Sequence, residues 1–146
     1  MTETQYDKIA EEYSKTGQTP AKKYQITPTF LKMCGNLRDK EVLDLACGSG
    51  FYTRMIKKDL KASRVVGMDL SKKELGIARK KETENPLGIK YIRGDASKFD
   101  FSNIAKFDVA SAVFLLNYSS TKEELEEMCK NIYSALKSGG KFITMA

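Results

Sequence analysis

The sequence contains no histidine. That removes the commonest side-chain general base and the commonest zinc ligand, so Ser-His-Asp, Cys-His and histidine-metal chemistry cannot be built from these residues. Cysteine is scarce: Cys34, Cys47 and Cys129 are odd in number, widely spaced, and form no C-x-x-C pair. Free, mostly buried thiols in a reducing compartment are therefore expected, which points to the cytoplasm. Long apolar runs are missing too. The longest, Val109 to Leu116, is interrupted by Ser111 and falls far short of the ~20 residues a bilayer crossing needs. The opening residues carry Glu3 and Asp7 and lack the apolar centre of a signal peptide. Chemistry in such a chain must need little acid–base help or take it from Asp, Glu, Lys or Tyr.

What is present fits one domain, since 146 residues are close to the about 150 of a typical single unit. Hydrophobic residues at 41% and charged residues at 30% are globular values and exclude a collagen-like, low-complexity or disordered chain. The net charge of +6 is uneven, because Arg54–Lys81 holds ten basic against three acidic residues. Two helices with lysine-rich solvated faces are the favoured account of that stretch. A nucleic-acid partner is disfavoured, because the exposed aromatics that accompany single-strand binding are scarce there.

Periodicity supplies the architecture. Tyr6, Ile9, Ala10 and Tyr13 share one face of a helix. Ser14 to Pro20 reads as a loop, and a second helix with Pro28 in its first turn ends near Gly35. Glu41 to Ala46 reads as a first buried strand, followed by a helix from about Phe51 to Leu60. Arg64 to Asp69, Ile89 to Gly94, Phe107 to Phe114 and Lys141 to Met145 read as further strands. Ser71 and Thr121 are helix N-caps, and Ser138-Gly139-Gly140 is expected to close the last helix. In that helix Leu125, Met128, Cys129, Ile132, Ala135 and Leu136 repeat at helical spacing. Strict alternation of apolar strands and helices predicts an α/β, Rossmann-like, doubly wound and mostly parallel sheet. Ligands on such sheets lie at the carboxyl ends of the strands, near the switch point.

Three features collect at that end. Asp44-Leu-Ala-Cys-Gly48-Ser-Gly50 places two glycines between a strand and a helix N-terminus, where main-chain donors can approach a ligand. Thr53 stands where a dinucleotide fingerprint has its third glycine, and no G-K-[ST] of a phosphate loop follows. Asp69 ends the second strand and can accept both hydroxyls of a ribose. Asp95, in Gly94-Asp95-Ala96 after the third strand, can accept the exocyclic amine of an adenine. A turn, a ribose acceptor and an adenine acceptor without a phosphate binder suit an adenosine whose tail is an amino acid. Taken singly, each feature is also explained by a structural turn or a capping aspartate.

Val42-Leu-Asp-Leu-Ala-Cys-Gly-Ser-Gly50 resembles the first motif of class I S-adenosylmethionine-dependent methyltransferases. Gly67-Met-Asp69-Leu-Ser, Gly94-Asp95-Ala96, Phe107-Asp108-Val109 and Leu136-Lys-Ser-Gly-Gly-Lys-Phe-Ile resemble the later motifs and the entry to strand five. More narrowly, Tyr6 to Tyr13, Pro86 to Tyr91 and Leu115 to Tyr118 are similar to the toxoflavin synthase-like branch. The resemblance implies S-adenosyl-L-methionine as cofactor, with S-adenosyl-L-homocysteine as product, and a small-molecule methyl acceptor. It implies that the backbone at Ala46, Cys47 and Gly48, with Gly50 in the same turn, holds the methionine amino and carboxylate groups, and that Asp44 supports the loop. Asp69 would bind the ribose and Leu70 pack on the adenine. Asp95 and Ala96 would take the adenine amine and ring. Val113 and Phe114 would lie beside the methionine portion. Tyr13 would close over the cofactor, with Tyr6 and Tyr24 as further candidates. Residues 1–40 then form a helical lid segment and 41–146 the cofactor-binding domain. Methyl transfer suits a chain without histidine, because a sulfonium is already an activated leaving group.

Two departures qualify the resemblance. Leu115-Leu-Asn117-Tyr118 replaces the D/N-P-P-Y/F motif of base-modifying enzymes, which disfavours DNA amino-methylation. The chain also stops in strand five, so a truncated cofactor-binding portion is expected, with self-association through the unfinished sheet edge as a hazard. The rival readings are a non-catalytic S-adenosylmethionine-binding module, an RNA- or protein-directed methyltransferase, and a nicotinamide-dependent oxidoreductase. The last is disfavoured by Thr53 and Asp95.

Overall fold

The computed structural model describes residues 21–146. Its first described element is a π-helical turn, Lys22–Ile26, which runs directly into helix α1, Thr27–Cys34. Pro28 sits in the first turn of α1, where its missing amide costs nothing, and Gly35 ends the helix at a φ of 62°. The helix expected over Tyr6 to Tyr13 and the loop to Pro20 lie outside the described residues.

The remainder alternates as the apolar pattern requires: β1 (Glu41–Leu45), α2 (Phe51–Lys58), β2 (Arg64–Asp69), α3 (Lys72–Glu84), β3 (Lys90–Arg93), β4 (Phe107–Val113), α4 (Lys122–Ala135) and β5 (Leu136–Met145). Among the described residues the strands form one parallel sheet in the order β3-β2-β1-β4-β5. The chain winds outward from β1 through β2 to β3, then returns to the other side of β1 for β4 and β5. The switch point therefore lies between β1 and β4. Ser71 and Thr121 cap α3 and α4 as expected, each hydroxyl accepting a hydrogen bond from the amide three residues on, at 3.1 Å.

Side chains alternate across each strand, and the sheet buries both faces. Val42 and Val109 pack with Phe30, Ile56 and Leu75 beneath α1, α2 and α3. Leu43, Leu45 and Ala110 pack with Phe101, Phe107, Met128 and Ile132 beneath α4. By the same alternation Asp44 and Ser111 share a face with Val42 and Val109, and they are register partners on neighbouring strands.

Several local expectations change. β5 starts at Leu136, directly after α4, rather than at Lys141, so Ser138-Gly139-Gly140 lies inside the strand. The pairing jumps from Phe107 opposite Leu136 to Val109 opposite Lys141, and the extra residues are absorbed as an irregularity at Gly139, φ 75°. α2 ends two residues early, at Lys58. Cys34 and Cys47 are buried, but Cys129 is exposed, because the inward stripe of α4 is the narrower set Met128, Ile132 and Ala135. Phe114 ends β4 by turning to a φ of 59° instead of extending the strand.

Tyr91 on β3 ties the sheet to the turn after β1. A Cβ on Gly67 would come within 2.8 Å of its ring, and a Cβ on Gly50 within 2.5 Å of its hydroxyl. Both glycines therefore make room for one tyrosine. The hydroxyl is buried and has no hydrogen-bond partner among the described residues. Tyr91→Phe should accordingly leave stability unchanged or raise it by about 1 kcal/mol, because it removes an unmet polar group. Gly67→Ala should cost about 1–3 kcal/mol by overpacking the same slot. Urea unfolding of both variants checks the pair; a clear loss in Tyr91→Phe contradicts the orphan hydroxyl.

Candidate functional site

The turn after β1 departs from extended backbone at once. Ala46, Gly48 and Gly50 take φ values of 53°, 53° and 84°. Glycine adopts this region freely, whereas Ala46 is held there at a cost of about 1–2 kcal/mol. The Cys47 amide still donates to Met68 O at 3.0 Å, and the Gly50 amide donates to Cys47 O at 3.0 Å, closing the turn. Gly50 is the N-cap of α2, so the first amides of that helix face the carboxyl edge of the sheet.

Asp44 holds this turn from beneath. It is 2% exposed, and its carboxylate accepts from Thr53 Oγ1 at 2.6 Å and Ser111 Oγ at 2.7 Å. One residue thus joins β1, the first turn of α2 and β4. Burial pushes its pKa up to about 6, against the two hydroxyl donors that favour the charged form. Thr53 fills the position of the fingerprint's third glycine, and Ser111 interrupts the apolar run of β4. Both residues are explained by the same carboxylate.

Asp69, at the end of β2, reaches across to β1. Its Oδ2 accepts from the Gly48 amide and its Oδ1 from the Ser71 amide, both at 2.8 Å. Asp95 follows β3; its Oδ1 accepts from the Ser97 amide at 2.9 Å and Ser97 Oγ at 2.6 Å, and its Oδ2 lies 3.8 Å from Lys98 Nζ. Ala96 is buried, and its carbonyl accepts from Asn131 Nδ2 at 3.0 Å. Leu70 and Phe114 are 48% and 38% exposed, unusual for large apolar side chains beside a core. The Phe114 amide donates to Met145 O at 2.7 Å, which fixes its left-handed backbone at the tip of β4. The structure thus gathers Asp95, Asp69, Leu70, the Ala46–Gly50 turn and Phe114 along the carboxyl ends of four adjacent strands. At about 4.8 Å per strand that edge spans about 14 Å. Tyr6 and Tyr13 lie outside the described residues, and Tyr24 is 70% exposed on the π-helical turn.

Further side chains at this edge escaped the sequence reading. Glu74, in the first turn of α3, is buried, and its Oε2 lies 3.4 Å from the point a Gly48 Cβ would occupy. Lys81 Nζ lies 3.4 Å from Ser49 O. Lys22 Nζ sits 4.3 Å from the centroid of the Phe51 ring. The Ser71-x-x-Glu74 spacing of a capping box was the one available signal for Glu74. The Cys47 thiol is held well above its ordinary pKa by burial and then by the charges of Asp44, Asp69 and Glu74. It is therefore a neutral packing group and not a thiolate nucleophile.

A cavity of about 300 Å³ lies at the opposite, amino ends of the strands, lined in part by Cys34, Lys40, Asp108 and Lys137. Two of its charges are structural. Asp108 accepts from the Glu41 amide at 2.8 Å, and Lys137 bridges Asp108 and Glu41 at 3.3 and 3.0 Å.

A family profile described as a methyltransferase domain matches residues 42–140. The demethylmenaquinone methyltransferase of Thermus thermophilus is 31% identical over 107 residues, covering 73% of this chain and 46% of that protein. The ubiquinone biosynthesis O-methyltransferase of Pseudoalteromonas translucida is 29% identical over 84 residues, covering 58% of this chain and 35% of that protein. Among solved structures, an S-adenosylmethionine-dependent methyltransferase from Mesorhizobium loti is similar with a TM-score of 0.69 and 30% identity, over 80% of this chain and 51% of that one. The chain spans about half the length, or less, of these relatives.

The raised pKa of Asp44 makes a signed prediction. A carboxyl that holds its proton more tightly when folded loses stability as pH rises from its unfolded value through its folded one. Between about pH 4 and 7 the wild type should therefore lose about 3 kcal/mol relative to Asp44→Asn, the equivalent of two pKa units. Urea unfolding of both proteins at the two pH values checks this. A constant difference between them contradicts the buried-carboxylate assignment.

Proposed function

Since the chain belongs to the class I S-adenosylmethionine-dependent methyltransferases, we propose that its carboxyl edge binds S-adenosylmethionine for in-line methyl transfer to a small-molecule acceptor. The donor set fits that cofactor. Asp69 Oδ2 accepts from the Gly48 amide at 2.8 Å, Glu74 Oε2 lies 3.4 Å from the position of a Gly48 Cβ, and Asp44 is buried beneath the same turn. A dinucleotide's pyrophosphate on the same turn would face those acids, whereas a sulfonium and an ammonium are drawn to them. This acidic surround is the observation that carries the proposal.

When bound, the cofactor supplies a methyl group already activated on a positively charged sulfur. The residues supply position. Main-chain groups of Ala46, Cys47 and Gly48 hold the amino-acid end, and Asp69 accepts from the ribose. Leu70 covers the adenine, while Asp95 and the Ala96 amide read its edge. Phe114 would lie beside the methionine portion, where its aromatic face would favour a neighbouring cation. Tyr13, from the lid segment 1–40, closes over the cofactor held by 41–146. Alignment of this kind supplies about 7–11 kcal/mol, so an acceptor of low pKa needs no histidine base. The names of the relatives favour a quinone-type ring as acceptor. The narrower likeness to the toxoflavin synthase-like branch, carried within the described residues by Pro86–Tyr91 and Leu115–Tyr118, supports a small molecule equally.

Titration calorimetry tests the reading. S-adenosylhomocysteine should bind and NAD should not; NAD binding, or no heat with S-adenosylhomocysteine, rejects it. Asp69→Ala should weaken S-adenosylhomocysteine by about 1–3 kcal/mol, the cost of stranding buried donors. Unchanged affinity removes Asp69 from the ribose role.

A further inference from the structure

We propose that the cavity at the amino ends of the strands binds a phosphate group, free or on a small organic ester, between Lys40, Lys141 and the bulge Ser138-Gly139-Gly140. This site lies at the opposite edge of the sheet from the cofactor turn, and it stands whether or not the cofactor reading does.

The cavity exists because β5 carries more residues than β4 can pair. β4 advances two residues from Phe107 to Val109, while β5 advances five from Leu136 to Lys141. Ser138, Gly139 and Gly140 therefore have no register partner and leave the ladder as a bulge. Gly139 takes a φ of 75°, and a Cβ on Gly140 would come within 2.9 Å of Lys137 O and 3.2 Å of Asp108 O. Main chain folds back this closely only where side chains are absent. Between the bulge and the residues that end α1, Cys34 to Leu37, about 300 Å³ stays open. That volume is at the lower end of the range for small-ligand pockets.

The lining is positive. Lys40, Lys137 and Lys141 share it with one acid, Asp108. Lys137 is met by Asp108 at 3.3 Å and by Glu41 at 3.0 Å, whereas Lys40 and Lys141 enter no ion pair among the described residues. Both are anchored through their main chain. The Lys40 amide donates to Leu37 O at 3.0 Å, and its carbonyl accepts from the Ser63 amide at 2.8 Å. Lys141 is the register partner of Val109, so it shares the sheet face that packs beneath α1. Two ammonium groups on one pocket repel each other, and an anion between them reverses the sign of that interaction. A phosphomonoester carries a charge of about −1.5 to −2 and three strong acceptor oxygens. It can therefore meet both lysines at once, which a single carboxylate charge cannot. Turn main chain of the kind found at Gly139 also offers amides to anions.

The test follows amide resonances of isotope-labelled protein while inorganic phosphate, glycerol 3-phosphate or glycerol is added at constant ionic strength. Both phosphates should give saturable shifts on Lys40, Ser138, Gly139, Gly140 and Lys141, and glycerol none. Tighter binding of glycerol 3-phosphate assigns the site to an organic ester, and equal binding assigns it to the phosphate alone. Lys40→Met and Lys141→Met should each weaken the phosphates by about tenfold or more, the scale of one hydrogen bond to a charged group. Lys58 is exposed at the end of α2 and does not line the cavity. Lys58→Met should leave binding within about twofold, because exposed charges outside the site are screened. Resonances away from the cavity should overlay those of the wild type in all three variants, which shows that they fold. Shifts that rise without saturating, shifts spread over the lysines of α2 and α3, or cavity variants that bind as Lys58→Met does overturn the site.

Discussion

The carboxylate of Asp44 is the tie on which the site depends. It lies in the layer between the sheet and α2 and is bonded on one side to Thr53 and on the other to Ser111. Through it the end of β1, the start of α2 and the middle of β4 share one anchor. Those are the elements on either side of the switch point, where the order of strands reverses. A buried carboxylate without such donors would be costly in a core otherwise filled by Val42, Val109 and Ile56. With two short hydroxyl bonds it fixes the height and direction of the turn that follows, at the expense of a raised pKa.

That anchoring lets the turn hold its unusual backbone. Ala46 and Phe114 are both non-glycine residues at positive φ, on adjacent strands, at the same edge. Strain of this sort persists where the surroundings over-determine it, and it clusters at binding sites. The Gly48 amide then meets Asp69, which draws the ends of β1 and β2 together. Charge completes the arrangement: a helix N-terminus, three acids and two lysines surround a few residues of main chain. Such a mixture suits a ligand of mixed charge better than a phosphate.

The order of strands and helices was legible because it rests on local signals. Short, nearly continuous apolar runs marked β1 and β4, and hydroxyls at Ser71 and Thr121 marked the helix starts. The acids at the strand ends were legible for the same reason, since a strand end is a sequence position. Thr53 and Ser111 were visible only as irregularities, one in a glycine pattern and one in an apolar run. Their shared explanation needed the pairing of Asp44 opposite Ser111, which is a through-space fact. Glu74, Lys22 and Lys81 were harder still. Long side chains bring their charged ends to the turn from other elements, and spacing along the chain does not encode that reach. The start of β5 was misplaced because two glycines ordinarily end a helix, whereas here they sit in an irregular strand.

The most direct test of the account follows amide resonances of isotope-labelled protein while S-adenosylhomocysteine is added. The account predicts that the largest shifts fall on Gly48, Gly50, Asp69, Asp95 and Ala96, with Lys40 and Gly139 at the far cavity unmoved. Shifts centred on that far cavity, or a spectrum that does not change, would contradict it.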